Sequence, residues 1–546
     1  MTEVDKTKKL IHELDEFIAH TPWKEIYASR IESMAERVYQ PCELAIVGRM
    51  NAGKSSFLNA LLDDDLAVVG DTETTATINY FRYGTPVDNE HPVRIVWEDG
   101  TEEWQTRAFL DSLQGHTQEV LDNAYRIDHL EYFVPNSILS GVTLVDTPGT
   151  GSIVNEHESR TNDYLKAGEI QLREKHNSQS VKLKNHADAV IVITERVPTS
   201  ETSTLVSNLS MDTSAFNALG VMTKIDFEES TTLSDWNRRC GQYAAMLKNQ
   251  LNTIVPVSAS VYQTVRQLEK TGRLREIQDT LAAIPNDEFQ EVCSSENLFM
   301  GDDDALNDYF NTYGISYDQR CKLVKGIANW MTFYTIAKVM HEMPYEEALK
   351  YLIDYSGMQR VKELVERIFL SRSRSIRCAK IVQEIYGILQ EIHNRRLHDL
   401  RTDVGYRDFY LKIISDSNIK NTHLKQSFEQ FVRTNVCTQE QYEGFAHQLK
   451  ELMLKVEDLQ RGLCSTDRKS EALLLLESKH EMFSAKEYEE LEILFGRSIN
   501  QQPDSDRKTV ARRQAYWRAR KNTSTNQDVN KIIELAVYAY GTIKIQ

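Results

Sequence analysis

Between residues 7 and 39 the apolar side chains recur at helical spacing: Leu10, Ile11, Leu14, Phe17 and Ile18, then Ile26, Ile31 and Met34. This period predicts two amphipathic helices, with Thr21-Pro22 as the turn and helix start between them. Each helix has to bury its apolar stripe, and a pair placed ahead of a complete domain is expected to pack on something C-terminal. From Glu43 the period changes. Leu44-Ala45-Ile46-Val47 is a short unbroken apolar run that ends in a glycine-bearing loop, and residues 56–62 after it are helical again. Further short apolar runs at 77–83, 93–97, 129–134, 142–145, 189–194, 218–222 and 253–257 have helical segments between the later ones. Strand, loop and helix in this order predict a doubly wound α/β domain. Asp99-Gly100 supplies the positive φ angles of a tight reversal, so residues 94–101 read as a hairpin and the sheet as mixed.

After about residue 315 the strand signals fade and helical patterns dominate, at 318–341, 345–355, 361–370, 378–399, 422–436, 439–460 and 528–545. The second half is expected to be an extended α-helical bundle. Three parts follow: helices at 1–40 that pack on the C-terminal bundle, the α/β domain at 41–365, and a helical neck or stalk at 366–546. Residues 501–505 and 522–527 read as loops.

Composition narrows the classes of function. Hydrophobic residues make up 41% and charged residues 27% of the 546, ordinary globular usage that argues against a mostly disordered chain. A formal net charge of −17 repels polyanions, which disfavours a general nucleic-acid role. The seven cysteines are scattered without a Cys-x-x-Cys pair, so reduced thiols in a cytoplasmic protein are expected, with neither a disulfide framework nor a zinc site. Residues 1–9 lack the apolar core of a secretory signal. The most apolar helical stretch, residues 326–340, includes Lys338 and is shorter than the roughly 20 apolar residues of a membrane span, so it reads as a buried helix.

The candidate chemistry begins at Gly48-Arg49-Met50-Asn51-Ala52-Gly53-Lys54-Ser55, a match to G-x-x-x-x-G-K-[ST] after a strand and before a helix. Glycines let the backbone wrap phosphate with its N–H groups inward, and the helix start adds its positive dipole end. Lys54 is expected to reach the β- and γ-phosphates, and the Ser55 hydroxyl to ligate Mg²⁺. The competing reading is a plain glycine turn. Three later motifs weigh against it. Asp146-Thr147-Pro148-Gly149 puts a carboxylate at a strand end, where it can hold Mg²⁺ through water, and the Gly149 N–H can sense the γ-phosphate. Thr223-Lys224-Ile225-Asp226 matches [NT]-K-x-D, in which Asp226 accepts from the guanine N1–H and exocyclic amine. Adenine lacks that donor pair, so GTP and GDP are the expected ligands. Val257-Ser258-Ala259-Ser260 follows the next strand and is expected to offer a backbone contact to guanine O6. All four motifs sit at strand carboxyl ends, the ligand edge of an open α/β sheet. A hydroxyl that completes the Mg²⁺ shell is expected from Thr75, with Thr74 the nearest rival.

The residues 48–62, Thr74-Thr75-Ala76 and Leu144-Val145-Asp146-Thr147-Pro148-Gly149 resemble the dynamin superfamily, bacterial dynamin-like proteins in particular. The labile-enterotoxin-output type is the nearest in kind. Ala187–Val192 with Ser200-Glu201 is similar to the family's strand before the guanine motif. The likeness covers 40–260 well and 355–374 more loosely. It implies a P-loop GTPase that uses Mg²⁺. Asn51, Lys54 and Thr75 take part in catalysis on this reading. Gly48, Asn51, Ala52, Gly53, Lys54, Ser55, Ser56, Asp146, Gly149, Thr223, Lys224, Asp226, Ser258 and Ala259 bind nucleotide, and Ser55, Thr75 and Asp146 serve the metal. It also implies a nucleotide-dependent homodimer and peripheral contact with an anionic membrane or a protein partner. Asn51 departs from the family pattern, because eukaryotic dynamins have a serine there that helps orient the catalytic water.

Two basic clusters stand out on this acidic chain: Arg372, Arg374, Arg377 and Lys380, and seven residues from Arg507 to Lys521 around Tyr516-Trp517. One reading is an anionic lipid surface; the favoured one is a solvated helix face paired with acidic helices of the same chain. His157 and Glu158 read as mobile polar surface rather than water-positioning groups, and His176 and His186 show no metal spacing. A ribosome- or RNA-associated GTPase, or a regulatory GTPase with a helical scaffold, is the alternative function.

Overall fold

The computed structural model describes residues 2–48, 52–63, 78–88, 90–106, 108–109, 126–146, 187–195, 217–228, 232–247, 251–416, 422–435, 437–496, 503–524 and 526–543. The chain divides into two compact units, Pro41–Ser373 and a second that joins Met1–Gln40 to Arg374–Gln546.

The first unit is built on a nine-stranded sheet in the order β4-β3-β5-β2-β6-β1-β7-β8-β9. Its central strand β1 (Cys42–Gly48) lies parallel between β6 (Val142–Asp146) and β7 (Ala189–Glu195). Beyond β7 come β8 (Ala218–Thr223) and β9 (Thr253–Pro256), both parallel. On the other side β2 (Ile78–Tyr83) runs antiparallel to β6, which makes the sheet mixed. It pairs with β5 (Ile127–Val134), and β3 (Val93–Trp97) and β4 (Glu102–Gln105) add a hairpin whose turn residue Gly100 has φ +81°. The inner strands β1, β7 and β8 are buried along almost their whole length, as strands covered on both faces must be.

Helices start directly after β9, earlier than the sequence pattern suggests. Residues 259–312 form five short helices whose buried Leu268, Ile277, Phe289, Phe299 and Phe310 extend the core of the sheet. Each is short enough that periodicity alone marks it weakly. The helix expected over 318–341 is two: Tyr317–Val324, then Trp330–Glu342, after a break where Gly326 takes φ +78° and the Asn329 side chain caps the Thr332 N–H. The next helix, Tyr345–Tyr355, ends at Ser356-Gly357. A Cβ on Gly357 would stand 2.0 Å from the Pro256 carbonyl oxygen, and φ there is +70°, so only glycine fits. The segment expected over 361–370 runs as α-helix from Met358 to Leu364 and then as a π-turn to Phe369.

In the second unit a capping box between Thr2 and Asp5 starts the helix Glu3–Ala19. Its partner is Lys24–Arg37, capped at Trp23 rather than Thr21, whose hydroxyl instead donates to the Ile18 carbonyl. Leu10, Leu14, Phe17, Trp23, Tyr27 and Ile31 share one apolar core with Ile381, Ile385, Ile388, Leu449 and Val456 from C-terminal helices. Burial of each such side chain contributes about 1.5–3 kcal/mol, far more than the exposed ion pairs around it. The helix expected over 439–460 continues to Ser478, 40 residues in all. Residues 465–471 are polar in sequence, but beyond them Ala472 and Leu476 enter a second core with Leu491, Trp517 and Ile533. One rod of about 60 Å therefore serves two cores.

The basic clusters resolve differently. Arg372 and Arg377 are buried, with Arg372 donating to the Ile368 carbonyl and the Asn217 side chain, so neither residue meets lipid or solvent. In the helix Arg507–Lys521, Arg513 pairs with Glu490 and Arg520 with Glu487, while Trp517 is fully buried. All seven cysteines are free thiols. No helix among the described residues is long and apolar enough to cross a membrane.

Candidate functional site

The turn after β1 feeds the helix α3 (Lys54–Leu62), and the glycines at its two ends answer different needs. A Cβ on Gly48 would lie 2.7 Å from the Ile193 carbonyl oxygen, so this glycine is demanded by β7. Gly53 caps the helix at φ +84°, in the left-handed region that glycine adopts freely. The start of α3 leaves its first N–H groups without helical partners, the arrangement that attracts phosphate. Ala52 is buried, and Ser55 and Ser56 are half-buried in this first turn.

Lys54 is 7% exposed, with Nζ 3.4 Å from the Gly48 carbonyl. Burial pulls its pKa down, and the Asp146 carboxylate opposes that shift. Asp146 ends β6 beside β1, and both of its carboxylate oxygens are buried. Burial raises its carboxyl to about 6, with Lys54 and the Asn79 amide facing it from β2 as the opposing influences. Keeping a carboxylate charged at such a buried place is costly, and a divalent cation or its water shell relieves that cost. The buried oxygens of Asp146 and the Ser55 hydroxyl therefore fit Mg²⁺.

The end of β8 carries the Thr223-Lys224-Ile225-Asp226 motif. The Thr223 hydroxyl donates to the Ala52 carbonyl at 2.6 Å and lies 3.2 Å from the Thr194 carbonyl, so it braces the phosphate loop instead of meeting ligand with its side chain. Lys224 adopts φ +60°, and its ammonium pairs with Glu195 at 2.8 Å. That pair holds the aliphatic stem, whose flat run of methylenes can cover a planar base. Asp226 is 1% exposed. Its Oδ2 accepts from the hydroxyls of Ser260 at 3.1 Å and Thr332 at 3.2 Å, while Oδ1 is buried without a hydrogen bond among the described residues. Ser258 caps the helix Ala259–Lys270 through its side chain, and its own N–H donates to the Ser356 carbonyl at 2.9 Å. That bond commits the Ser258 N–H within the fold, so it is not available to a ligand.

The ends of β1, β6, β8 and β9 thus bring Gly48, Ala52–Ser56, Asp146, Thr223–Asp226 and Ser258-Ala259 to one edge of the sheet. Asn51, Thr74, Thr75, Gly149, His157, Glu158, His176 and His186 lie outside the described residues. Glu195, Asn79 and Thr332 carry no local signal that would have marked them. Ser260 does, because it sits within the quoted loop.

Residues 44–225 match the dynamin family. The part of the chain that carries the sheet is therefore similar to a dynamin-family domain. Over 480 residues it is 24% identical to Dynamin-like protein 2 of Campylobacter jejuni, spanning 82% of this chain and 74% of that one. Over 195 residues it is 26% identical to Dynamin-like protein 1 of the same organism, but there the match spans 29% of this chain and 26% of the relative. The chain thus aligns with about a quarter of the length of the first of these relatives. It is also similar to a solved oligomerised bacterial dynamin pair described as sensing and tethering membranes at long range. That match has 12% identity and a TM-score of 0.34, and covers 89% of this chain and 95% of the other. The sheet with its phosphate loop and the helical remainder are the parts of a dynamin-like fold.

Proposed function

We propose that this chain binds GTP with Mg²⁺, hydrolyses it to GDP and phosphate, and uses the cycle to drive its own dimerisation and contact with an anionic membrane. The observation that carries the reading is the gathering of Lys54, Asp146 and Asp226 at one edge of the sheet, after β1, β6 and β8, with the Asp146 carboxylate buried and facing Lys54. Lys54 and the start of α3 would hold the β- and γ-phosphates, and Ser55 and Asp146 would hold the metal. Bound there, Mg²⁺ neutralises the charge that builds on the phosphoryl oxygens. Asp226 would select guanine. Asn51, in the loop, would donate to a bridging phosphate oxygen, while Thr75 and Gly149 would close over the γ-phosphate.

Membrane contact is supported by a surface the sequence pattern did not single out. In the helical unit, Leu397–Asp416 and Thr422–Asn435 pack together and expose Phe409, Tyr410, Ile413, Leu424 and Phe428, each about half accessible. Lys412 and Lys425 lie among them. Apolar groups this large, grouped on adjoining helices with cations between them, suit a headgroup region better than bulk water. The test is flotation with vesicles that contain anionic lipid, together with solution mass, each with GDP·AlF₄⁻ and without nucleotide. Analogue-dependent dimer mass and flotation are expected, and Phe409→Ser with Phe428→Ser should lose flotation while GTP turnover persists. No mass change and no flotation under either condition would remove both the dimer and the membrane from the proposal.

A further inference from the structure

Asp226 is held from a helix 106 residues further along the chain. Thr332 sits in the first turn of Trp330–Glu342, fully buried, its N–H capped by Asn329 and its hydroxyl donated to Asp226 Oδ2. We infer that Thr332 is a positioning residue for guanine selection: it fixes the carboxylate rotamer that aims the other oxygen of Asp226 at the base. The inference rests on the proposed guanine site.

Asp226 has two acceptor oxygens, and bidentate recognition of the N1–H and the exocyclic amine needs the carboxylate plane fixed. Ser260 supplies one hydroxyl to Oδ2 from the helix that starts at Ala259; one such bond leaves the plane free to swing about it. A second hydroxyl on the same oxygen, from a different helix, removes that freedom. Among the described residues Oδ1 is then left buried and without a hydrogen bond, as an oxygen reserved for ligand would be. The position of Thr332 is set locally, because the helix break at Gly326 and the Asn329 cap fix where its helix begins. Thr332 touches no base, so its loss should affect selection more than phosphate binding.

The test compares GDP with inosine diphosphate, which keeps the N1–H and lacks the exocyclic amine, by calorimetric titration of the full chain. Thr332→Val keeps the shape and removes the hydroxyl; Thr332→Ser restores it. GDP is expected to weaken about tenfold in Thr332→Val and inosine diphosphate distinctly less, so that their ratio falls, with Thr332→Ser close to wild type. An equal loss for both nucleotides would mean a general packing defect, and no loss beside a selective wild type would mean that Ser260 suffices; either result overturns the inference. A wild type that binds both nucleotides alike overturns the guanine reading itself, and this inference with it.

Discussion

Lys54→Ala is expected to lower affinity for GTP and GDP by two to four orders of magnitude, to the point where binding is lost at ordinary concentrations. Lys54 is nearly fully buried, and the pull of burial on its pKa shows that its charge is already desolvated. A cation prepared in this way gives strong charge-assisted bonds, each worth about 1.5–3 kcal/mol, and two phosphates would share it. Every 1.4 kcal/mol is about tenfold in affinity. The substitution also strips Asp146 of the nearby cation that favours its charged form, so metal binding should weaken in parallel. Fluorescence titration with a labelled GDP checks this. GTP turnover that survives the change would place the phosphates elsewhere.

Asp226→Asn is expected to cost about a hundredfold or more in GTP affinity and to raise affinity for xanthosine triphosphate to or above that level. The carboxylate can accept from both guanine donors. An amide in the same rotamer puts an NH₂ where an acceptor was needed, and xanthine, with a carbonyl in place of the amine, complements it. The hydroxyls of Ser260 and Thr332 would still donate to the remaining oxygen, so the exchange should leave the fold intact. The size follows from the loss of one bond to a charged acceptor and the mismatch of a buried donor. Unchanged selectivity between the two nucleotides would exclude Asp226 from base recognition.

What could be read from the sequence was what local spacing determines. The strand-loop-helix at 42–62 shows itself because the glycines, the lysine and the apolar strand lie within twenty residues. The hairpin at β3–β4 shows itself through Asp99-Gly100. What depends on distant parts of the chain was not legible. Thr332 reaches Asp226 across 106 residues, and nothing near it in sequence marks it as different from any other threonine in a buried helix. Ser258 reads as a base contact, yet its N–H is committed to Ser356. The arginines at 372 and 377 read as a surface cluster, but burial makes them part of the interior. The polar stretch after Gln460 reads as a helix end, whereas packing of Ala472 and Leu476 carries the helix onward. In this last case tertiary packing overrides a helix propensity worth less than about 1 kcal/mol per residue.

The identity of the nucleotide and its hydrolysis are tested most directly by phosphate release from GTP and from ATP by the purified wild-type chain, with Mg²⁺ and with the metal chelated. GTP should turn over at least tenfold faster than ATP, and chelation should stop it. Equal turnover of the two nucleotides, or GTP hydrolysis indifferent to the metal, would contradict the site built from Lys54, Asp146 and Asp226.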